Sequence, residues 1–200
     1  MGSPSMKMIA AILVAFLSCT ARAADAGVLE KALVDGMAMI SAGKIHDAMN
    51  EIRVGINCYG YDPKPVSAES IQSLDTKISQ ESDKQKKAAL LVYKAVILLS
   101  HLRDDASAAD DGIKLLTAAE EADQNLPEVY NTRGICYLFK RAAAAALKDF
   151  EKAVSLNANF LDAINNRGEA HRALGQTDLA VQDKIRYQRM LSKLNYPEKP

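Results

Sequence analysis

The side chains best suited to chemistry in this sequence are three histidines, His46, His101 and His171, which stand far apart along the chain. None has a second histidine or a cysteine at the spacing of metal ligands. His101 precedes Asp104 and Asp105 by about one helical turn, an arrangement that could hold a divalent cation and that a solvated helix end also explains. The sequence contains no Gly-x-Ser-x-Gly nucleophile context, calcium-loop spacing or glycine-rich phosphate loop. We therefore expect no enzymatic activity, no metal and no cofactor.

The overall composition is that of an ordinary globular chain of 200 residues, 48% hydrophobic and 25% charged. Twenty-five basic residues balance 25 acidic ones, which argues against nucleic acid as a partner. The charge is nevertheless uneven, because residues 104–128 hold eight acidic and one basic residue, and residues 184–199 hold five basic and one acidic. Two solvated helix faces explain this asymmetry, and so does attraction of a charged partner or head-to-tail self-association.

The first 23 residues have the pattern of a secretory signal peptide. Lys7 precedes an apolar run over residues 8–17, and an Ala-Arg-Ala end predicts cleavage before Ala24. The run is about half of the ~20 residues that a membrane-spanning helix needs, so we expect no direct membrane span. The residues ending at Cys19 also resemble a bacterial lipobox, in which that cysteine would be acylated. The expected location is therefore periplasmic or secreted, with a lipid-anchored envelope protein as the alternative.

A 34-residue period organises the rest of the chain. The segment Asn131–Gly134 recurs as Asn165–Gly168. The same offset aligns two further pairs, Ala146 with Ala180 and Asp149 with Asp183. Small residues returning at this interval favour helices that approach one another closely at Gly134, Ala146, Gly168 and Ala180.

These residues resemble the tetratricopeptide repeat (TPR), a family of 34-residue helical hairpins. The resemblance implies an all-α, TPR-like superhelix of about four stacked hairpins, and together with the signal-peptide pattern it predicts a TPR protein of the exported bacterial type. The implied division is a signal peptide (1–23), an N-terminal hairpin (24–62), a linker with an extra helix (63–92), a degenerate repeat (93–126), and two repeats (127–160 and 161–194), the second with an extension to residue 200.

Two Arg–Asp pairs lie sixteen residues apart, Arg133 with Asp149 and Arg167 with Asp183. In an antiparallel hairpin these positions are close enough to pair, so we interpret them as structural salt bridges. A ligand-binding arginine is the alternative. Cys58 and Cys136 both fall on apolar helix faces, which favours buried free thiols over a disulfide.

In TPR proteins that bind peptides, the first helix of each hairpin lines the concave face. Carried over residue by residue, the resemblance implies a partner-binding groove made by Lys94, His101, Glu128, Asn131, Ile135, Leu138, Phe139, Asn165, Glu169 and Arg172. Its apolar members either cover a bound segment or are themselves buried by the N-terminal helices. Asn131 and Asn165 either hold a peptide backbone or are simply the usual neighbours of Arg-Gly in such repeats.

The expected function is a non-catalytic protein–protein interaction scaffold of the bacterial envelope, which binds a protein or peptide segment in this groove. The alternative is an outer-membrane-tethered assembly lipoprotein acylated at Cys19, working in pilus, secretion or cell-wall machinery.

Overall fold

A computed structural model of the chain describes residues 28–50, 66–100 and 107–195, and the regular secondary structure in these ranges is entirely helical. The predicted all-α fold is confirmed. The predictions for the signal peptide, Cys19, Cys58 and His101 concern residues outside the described ranges. The chain divides into two compact units, residues 1–126 and residues 127–200.

The helices of the first unit are α1 (Val28–Ser41), α2 (beginning at residue 45 and described as far as residue 50), α3 (Ala68–Gln80), α4 (Lys84–Ser100) and α5 (Ser107–Ala122). Helix α4 packs against α1, α3 and α5. Its residues 88–93 are all buried, as expected for a helix with neighbours on every side. Helix α4 is therefore the centre of the first unit.

The absence of a side chain at Gly36 lets α4 approach α1 closely. A Cβ atom added at Gly36 of α1 would overlap the hydroxyl oxygen and the ring of Tyr93. The Tyr93 hydroxyl donates a hydrogen bond to the carbonyl of Ala48 in α2. Tyr93 is completely buried, so this bond satisfies its polar end inside the core.

Ser67 caps the start of α3, and a carboxylate of α1 completes the cap. Ser67 precedes the helix, and its hydroxyl accepts a hydrogen bond from the Ser70 amide. The Glu30 carboxylate accepts hydrogen bonds from the Ser67 amide and hydroxyl, each at 2.8 Å, and from the Ser70 hydroxyl. A negative charge is favourable at a helix N-terminus because the first amides have no partner within the helix.

The helices of the second unit are α6 (Pro127–Phe139), α7 (Ala143–Leu156), α8 (Leu161–Ala173) and α9 (Thr177–Asn195). Helices α6 and α7 form one hairpin and α8 and α9 a second, α7 packs on α8, and the first helices of the two hairpins, α6 and α8, also touch. Helix α6 is buried without interruption from Val129 to Cys136.

The two repeat glycines occupy different environments in these hairpins. A Cβ atom at Gly134 would lie 2.5 Å from Cε1 of the buried Phe150 ring, whereas one at Gly168 would lie 3.2 Å from Cβ of Asp183. Of the other repeat-packing residues, Ala146 is completely buried and Ala180 is half-buried. The close approach is therefore tighter in the first hairpin than in the second.

Three helix–helix turns share one backbone geometry. Gly43, Arg141 and Gly175 have positive φ angles of 79°, 59° and 75°. In each turn this residue donates its amide hydrogen to the carbonyl three residues earlier, and the next residue donates to the carbonyl five residues before itself. This is the Schellman motif that ends helices, and it favours glycine, so Arg141 is the one non-glycine in a left-handed turn among the described residues.

Candidate functional site

The candidate site is the surface formed by the first helices of the two C-terminal hairpins, here called the α6–α8 face. On α6 it comprises Glu128, Asn131, Ile135, Leu138 and Phe139, and on α8 it comprises Asn165, Glu169 and Arg172. Within each helix the members are mostly three or four residues apart, which places them on one side of the helix. Because α6 and α8 are in contact, the two sets are neighbours in space.

Burial divides this face into an inner and an outer part. Asn131 and Asn165 are each 6% exposed and Ile135 is 8% exposed. Leu138 and Phe139, in the last turn of α6, are half-buried. The accessible part therefore lies toward the last turns of α6 and α8.

A buried hydrogen bond joins the two helices in the inner part of the face. Nδ2 of Asn166 donates to Oδ1 of Asn131 at 3.0 Å, and Asn166 is 1% exposed. Buried polar groups are costly unless they are paired, so this bond favours one alignment of α6 and α8. Sequence reasoning did not single out Asn166. The sequence signal for Asn166 was an amide side chain at the position where the preceding repeat has Thr132.

The charged members of the face are partly paired within the chain. Arg172 is exposed and donates a hydrogen bond to the half-buried Glu169 carboxylate, one turn earlier on α8. Glu128 is half-buried near the start of α6. The accessible end of the face therefore combines two apolar side chains of α6 with an exposed ion pair of α8.

The structure brings together both predicted Arg–Asp pairs across their hairpins. Arg133 Nε and Nη2 lie 2.8 and 2.9 Å from the two carboxylate oxygens of Asp149, and Arg167 makes the same fork to Asp183 at 2.8 and 2.5 Å. The hydrogen bond to Asp183 raises the pKa of Arg167 above its ordinary value, although burial opposes the shift. A bidentate pair of this kind restricts the angle between the two helices of the hairpin and also stabilises the charges of the arginine and the aspartate.

The structure also describes Lys94 and His171, two other residues that the sequence singles out. Lys94 belongs to the first unit, where its Nζ lies 2.5 Å from Oδ1 of Asp75 on α3. His171 is buried on α8, with Nδ1 2.6 Å from Oε1 of Gln176 and Nε2 3.9 Å from Oδ2 of Asp183. Both side chains are therefore engaged by neighbours within their own units.

Cys136 is a free thiol buried on α6. Burial raises the pKa of this thiol to about 12, so the thiolate that nucleophilic chemistry requires is scarce at neutral pH. Within the described residues, no group of three or more histidine, cysteine or acidic side chains is arranged to hold a metal ion. Within the same ranges, no helix combines the length and apolar character of a membrane span.

Comparison with solved structures identifies the fold of these hairpins. MamA is 19% identical and aligns over 86% of this chain and 84% of its own, with a TM-score of 0.52. A thermophilic TPR protein of Thermus thermophilus is 13% identical and aligns over 82% of this chain and 98% of its own, with a TM-score of 0.51. The chain has a TPR-like fold. No protein-family model and no curated protein matches its sequence.

The TPR-like fold accounts for the arrangement of the second unit. A TPR hairpin packs against its neighbours through both of its helices, as α7 packs on α8 and α6 touches α8 here. The small residues at the predicted interval lie at these helix contacts, and the first helices of successive hairpins present a shared face.

Proposed function

We propose that this chain is a non-catalytic scaffold that binds a protein or peptide segment on the α6–α8 face. The observation that carries the proposal is the half-buried apolar pair Leu138 and Phe139, which follows the continuously buried residues Val129 to Cys136 of the same helix. Apolar side chains on a shaped helical face are suited to a partner that covers them. The bond between Asn166 and Asn131 supports the same role, because it holds the face in one arrangement before binding.

The chemistry of the face indicates the kind of segment it would take. An apolar side chain of the partner would pack on Leu138 and Phe139. Polar groups of the partner would meet Glu169 and Arg172, whose mutual ion pair is exposed and therefore contributes little to stability. A segment with one apolar anchor beside polar or charged residues fits this pattern, whereas nucleic acid does not.

Replacement of one leucine tests the site. Leu138→Glu places a charge in the apolar part of the face, and we expect it to abolish capture of partners from an envelope extract. Leu179→Glu is the control, because Leu179 is 44% exposed on α9 and lies outside the face. Circular dichroism would verify that both variants remain helical. Capture of the same partners by Leu138→Glu and the unmodified chain would refute the assignment.

We further propose that the scaffold works in the bacterial envelope, on the basis of the signal-peptide pattern in residues 1–23. The alternative is an assembly lipoprotein tethered through Cys19. Mass spectrometry of the chain recovered from the envelope distinguishes the two, because a soluble exported protein would begin at Ala24 and a lipoprotein at an acylated Cys19. Recovery of the chain with residues 1–23 intact in the cytoplasm would refute both.

A further inference from the structure

The hydrogen bond between Asn166 and Asn131 fixes which way the Asn131 amide points. A side-chain amide has an oxygen that accepts and a nitrogen that donates two hydrogens. Oδ1 of Asn131 accepts from Nδ2 of Asn166 at 3.0 Å, so the nitrogen of Asn131 points away from Asn166. Turning the Asn131 amide over would set donor against donor and lose the bond. Asn166 therefore determines the orientation of Asn131.

The nitrogen of Asn131 has unused hydrogen-bonding capacity. Asn131 is 6% exposed, and within the described residues its Nδ2 donates to no acceptor. The nitrogen nevertheless retains contact with solvent. A donor in such a buried setting is costly to leave unpaired, so either water or an acceptor brought by a partner completes it. At this point the α6–α8 face therefore offers donors to an incoming group.

The surroundings of Asn131 favour an uncharged acceptor. A carboxylate brought to this site would lose most of its hydration and would need a cation to compensate. Arg133, two residues further along α6, is already engaged by Asp149. Glu128, one turn before Asn131, adds a carboxylate of its own. A main-chain carbonyl carries no net charge and accepts hydrogen bonds from an amide at ordinary distances.

The α6 helix places this donor at a defined distance from the apolar part of the face. Asn131, Ile135 and Leu138 are four and three residues apart, so they form one row along the helix. The seven residues from Asn131 to Leu138 span about 10 Å at 1.5 Å per residue. An extended chain covers the same length in about three residues at about 3.3 Å each. A segment anchored on Leu138 can therefore bring a main-chain carbonyl to Asn131.

We propose that Asn166 is a positioning residue of the α6–α8 face. It holds the Asn131 amide so that Nδ2 donates to a main-chain carbonyl of an extended partner segment, about three residues from the apolar anchor of that segment. The inference rests on the proposed function, because the contact lies within the same site. It adds the polarity of the contact, with the donor on this chain and the acceptor on the partner, and it assigns that polarity to Asn166.

Exchange of the side-chain amide hydrogens with water tests the orientation without any partner. By NMR, we expect the Nδ2 hydrogens of Asn166 to exchange more slowly than those of Asn131. Asn166→Asp replaces the donor facing Asn131 with an acceptor, so the Asn131 amide should turn over and its own Nδ2 hydrogens should become slow. Faster exchange at Asn166 than at Asn131, or an Asn131 amide that exchanges equally in both proteins, would overturn the proposal.

Binding of short synthetic peptides, random except for one fixed leucine, tests the contact with a partner. Peptides retained by the full chain but not by Leu138→Glu are resynthesised with a thioamide at each backbone position in turn, because sulfur is a poor acceptor. We expect one position, about three residues from the leucine, to lose about fivefold in affinity, the effect of one neutral hydrogen bond. Asn166→Asp should remove this sensitivity and make binding sensitive to replacement of a main-chain N–H by an ester oxygen.

Two further variants separate positioning from a general disturbance of the fold. Asn159→Asp makes the same substitution at an exposed position between α7 and α8 and should change nothing. Asn166→Ala removes the orienting bond and should abolish the thioamide-sensitive position while binding still depends on Leu138. Circular dichroism would verify that all variants remain helical.

The outcomes distinguish this inference from the proposed function. Peptides that bind through Leu138 with no thioamide-sensitive position, or with the same sensitive position in Asn166→Asp, would overturn the role of Asn166 and leave the binding face standing. If no peptide depends on Leu138, both the binding face and the role of Asn166 are refuted.

Discussion

Gly134 shows how strongly a glycine can determine the distance at which two helices of this chain pack. The repeat pattern assigned Gly134 and Gly168 the same role, but the structure distinguishes them. The reason is the residue opposite: the buried ring of Phe150 lies against Gly134, whereas the equivalent position of the next repeat has the exposed Lys184. The period alone predicted that both glycines lie at a helix contact, and the identity of the facing residue determined how tight each contact is.

Gly134→Ala should therefore destabilise the chain by about 1–3 kcal/mol, because the new methyl group would displace a fully buried ring. Gly168→Ala should cost much less than this or nothing, since its Cβ would make a tight contact at 3.2 Å to Cβ of Asp183 that a shift of a few tenths of an ångström relieves, and alanine favours a helix by up to about 1 kcal/mol. Urea unfolding of the two variants measures the difference. Equal effects at both sites would contradict this reading of the contacts.

Arg141 has a strained, left-handed backbone conformation. It has a φ of 59° at the turn position where Gly43 and Gly175 stand in the other hairpins. Arg141→Gly should stabilise the chain by about 0.5–1 kcal/mol, because relief of the left-handed conformation exceeds the entropy that glycine adds to the unfolded chain. Gly175→Ala should have the opposite sign. Thermal unfolding of both variants provides the measurement, and a lower midpoint for Arg141→Gly would refute the prediction.

For the helices of this chain, the sequence predicts where a helix begins more readily than which other helices pack against it. The sequence 67–70 has the composition of a helix start, and α3 begins at Ala68 after the Ser67 cap. Nothing local indicated that Glu30, 37 residues earlier, would complete the cap. The same limit applies to the Asn131–Asn166 bond, since both cases depend on which helices become neighbours.

The Glu30 cap predicts a pH-dependent stability. Burial raises the pKa of Glu30, but hydrogen bonds from the Ser70 hydroxyl and the Ser67 amide and hydroxyl outweigh it, and the net pKa lies below the ordinary 4.5. A lowered folded-state pKa contributes stability that is present above the unfolded-state value and is lost as the pH falls through the folded-state value. Glu30→Gln should therefore cost about 1 kcal/mol at neutral pH and much less below pH 4.

Urea unfolding of both proteins from pH 7 down to pH 3 measures this change. Glu69→Gln is the control, because Glu69 is exposed in the first turn of the same helix and accepts none of the Ser67 and Ser70 hydrogen bonds. A Glu30→Gln deficit that stays constant down to pH 3 would show that the carboxylate charge is not responsible.

At the scale of the whole molecule, burial is distributed unevenly among the helices. Helix α6 has eight consecutive buried residues, whereas Asp183 is the one buried residue among the described side chains of α9. In repeat proteins each hairpin is stabilised mainly by its neighbours, so α9, which packs on α8 alone among the described helices, should open most easily.

Hydrogen exchange should reveal the difference in local stability between α6 and α9. Amides of α9 should exchange fastest in the second unit and those of α6 slowest, because opening of α9 exposes the least apolar surface. Mass spectrometry of exchanged peptides from dilute protein measures the rates. Protection of α9 equal to that of α6 in dilute solution would contradict the prediction.

The helical hairpins and their spacing could be predicted from the residues alone, because small residues returning every 34 positions limit how helices can pack and because glycines and prolines mark boundaries locally. Which of the groove residues implied by the TPR resemblance remain accessible depends on the packing of the helices. Asn131, Asn165 and Ile135 lie on the expected side of their helices, yet they are almost fully buried, while Leu138 and Phe139 are only half-buried. The physical reason is that a repeat pattern specifies the side of a helix on which a residue lies, whereas exposure depends on what packs against that side, and those partners are distant in sequence.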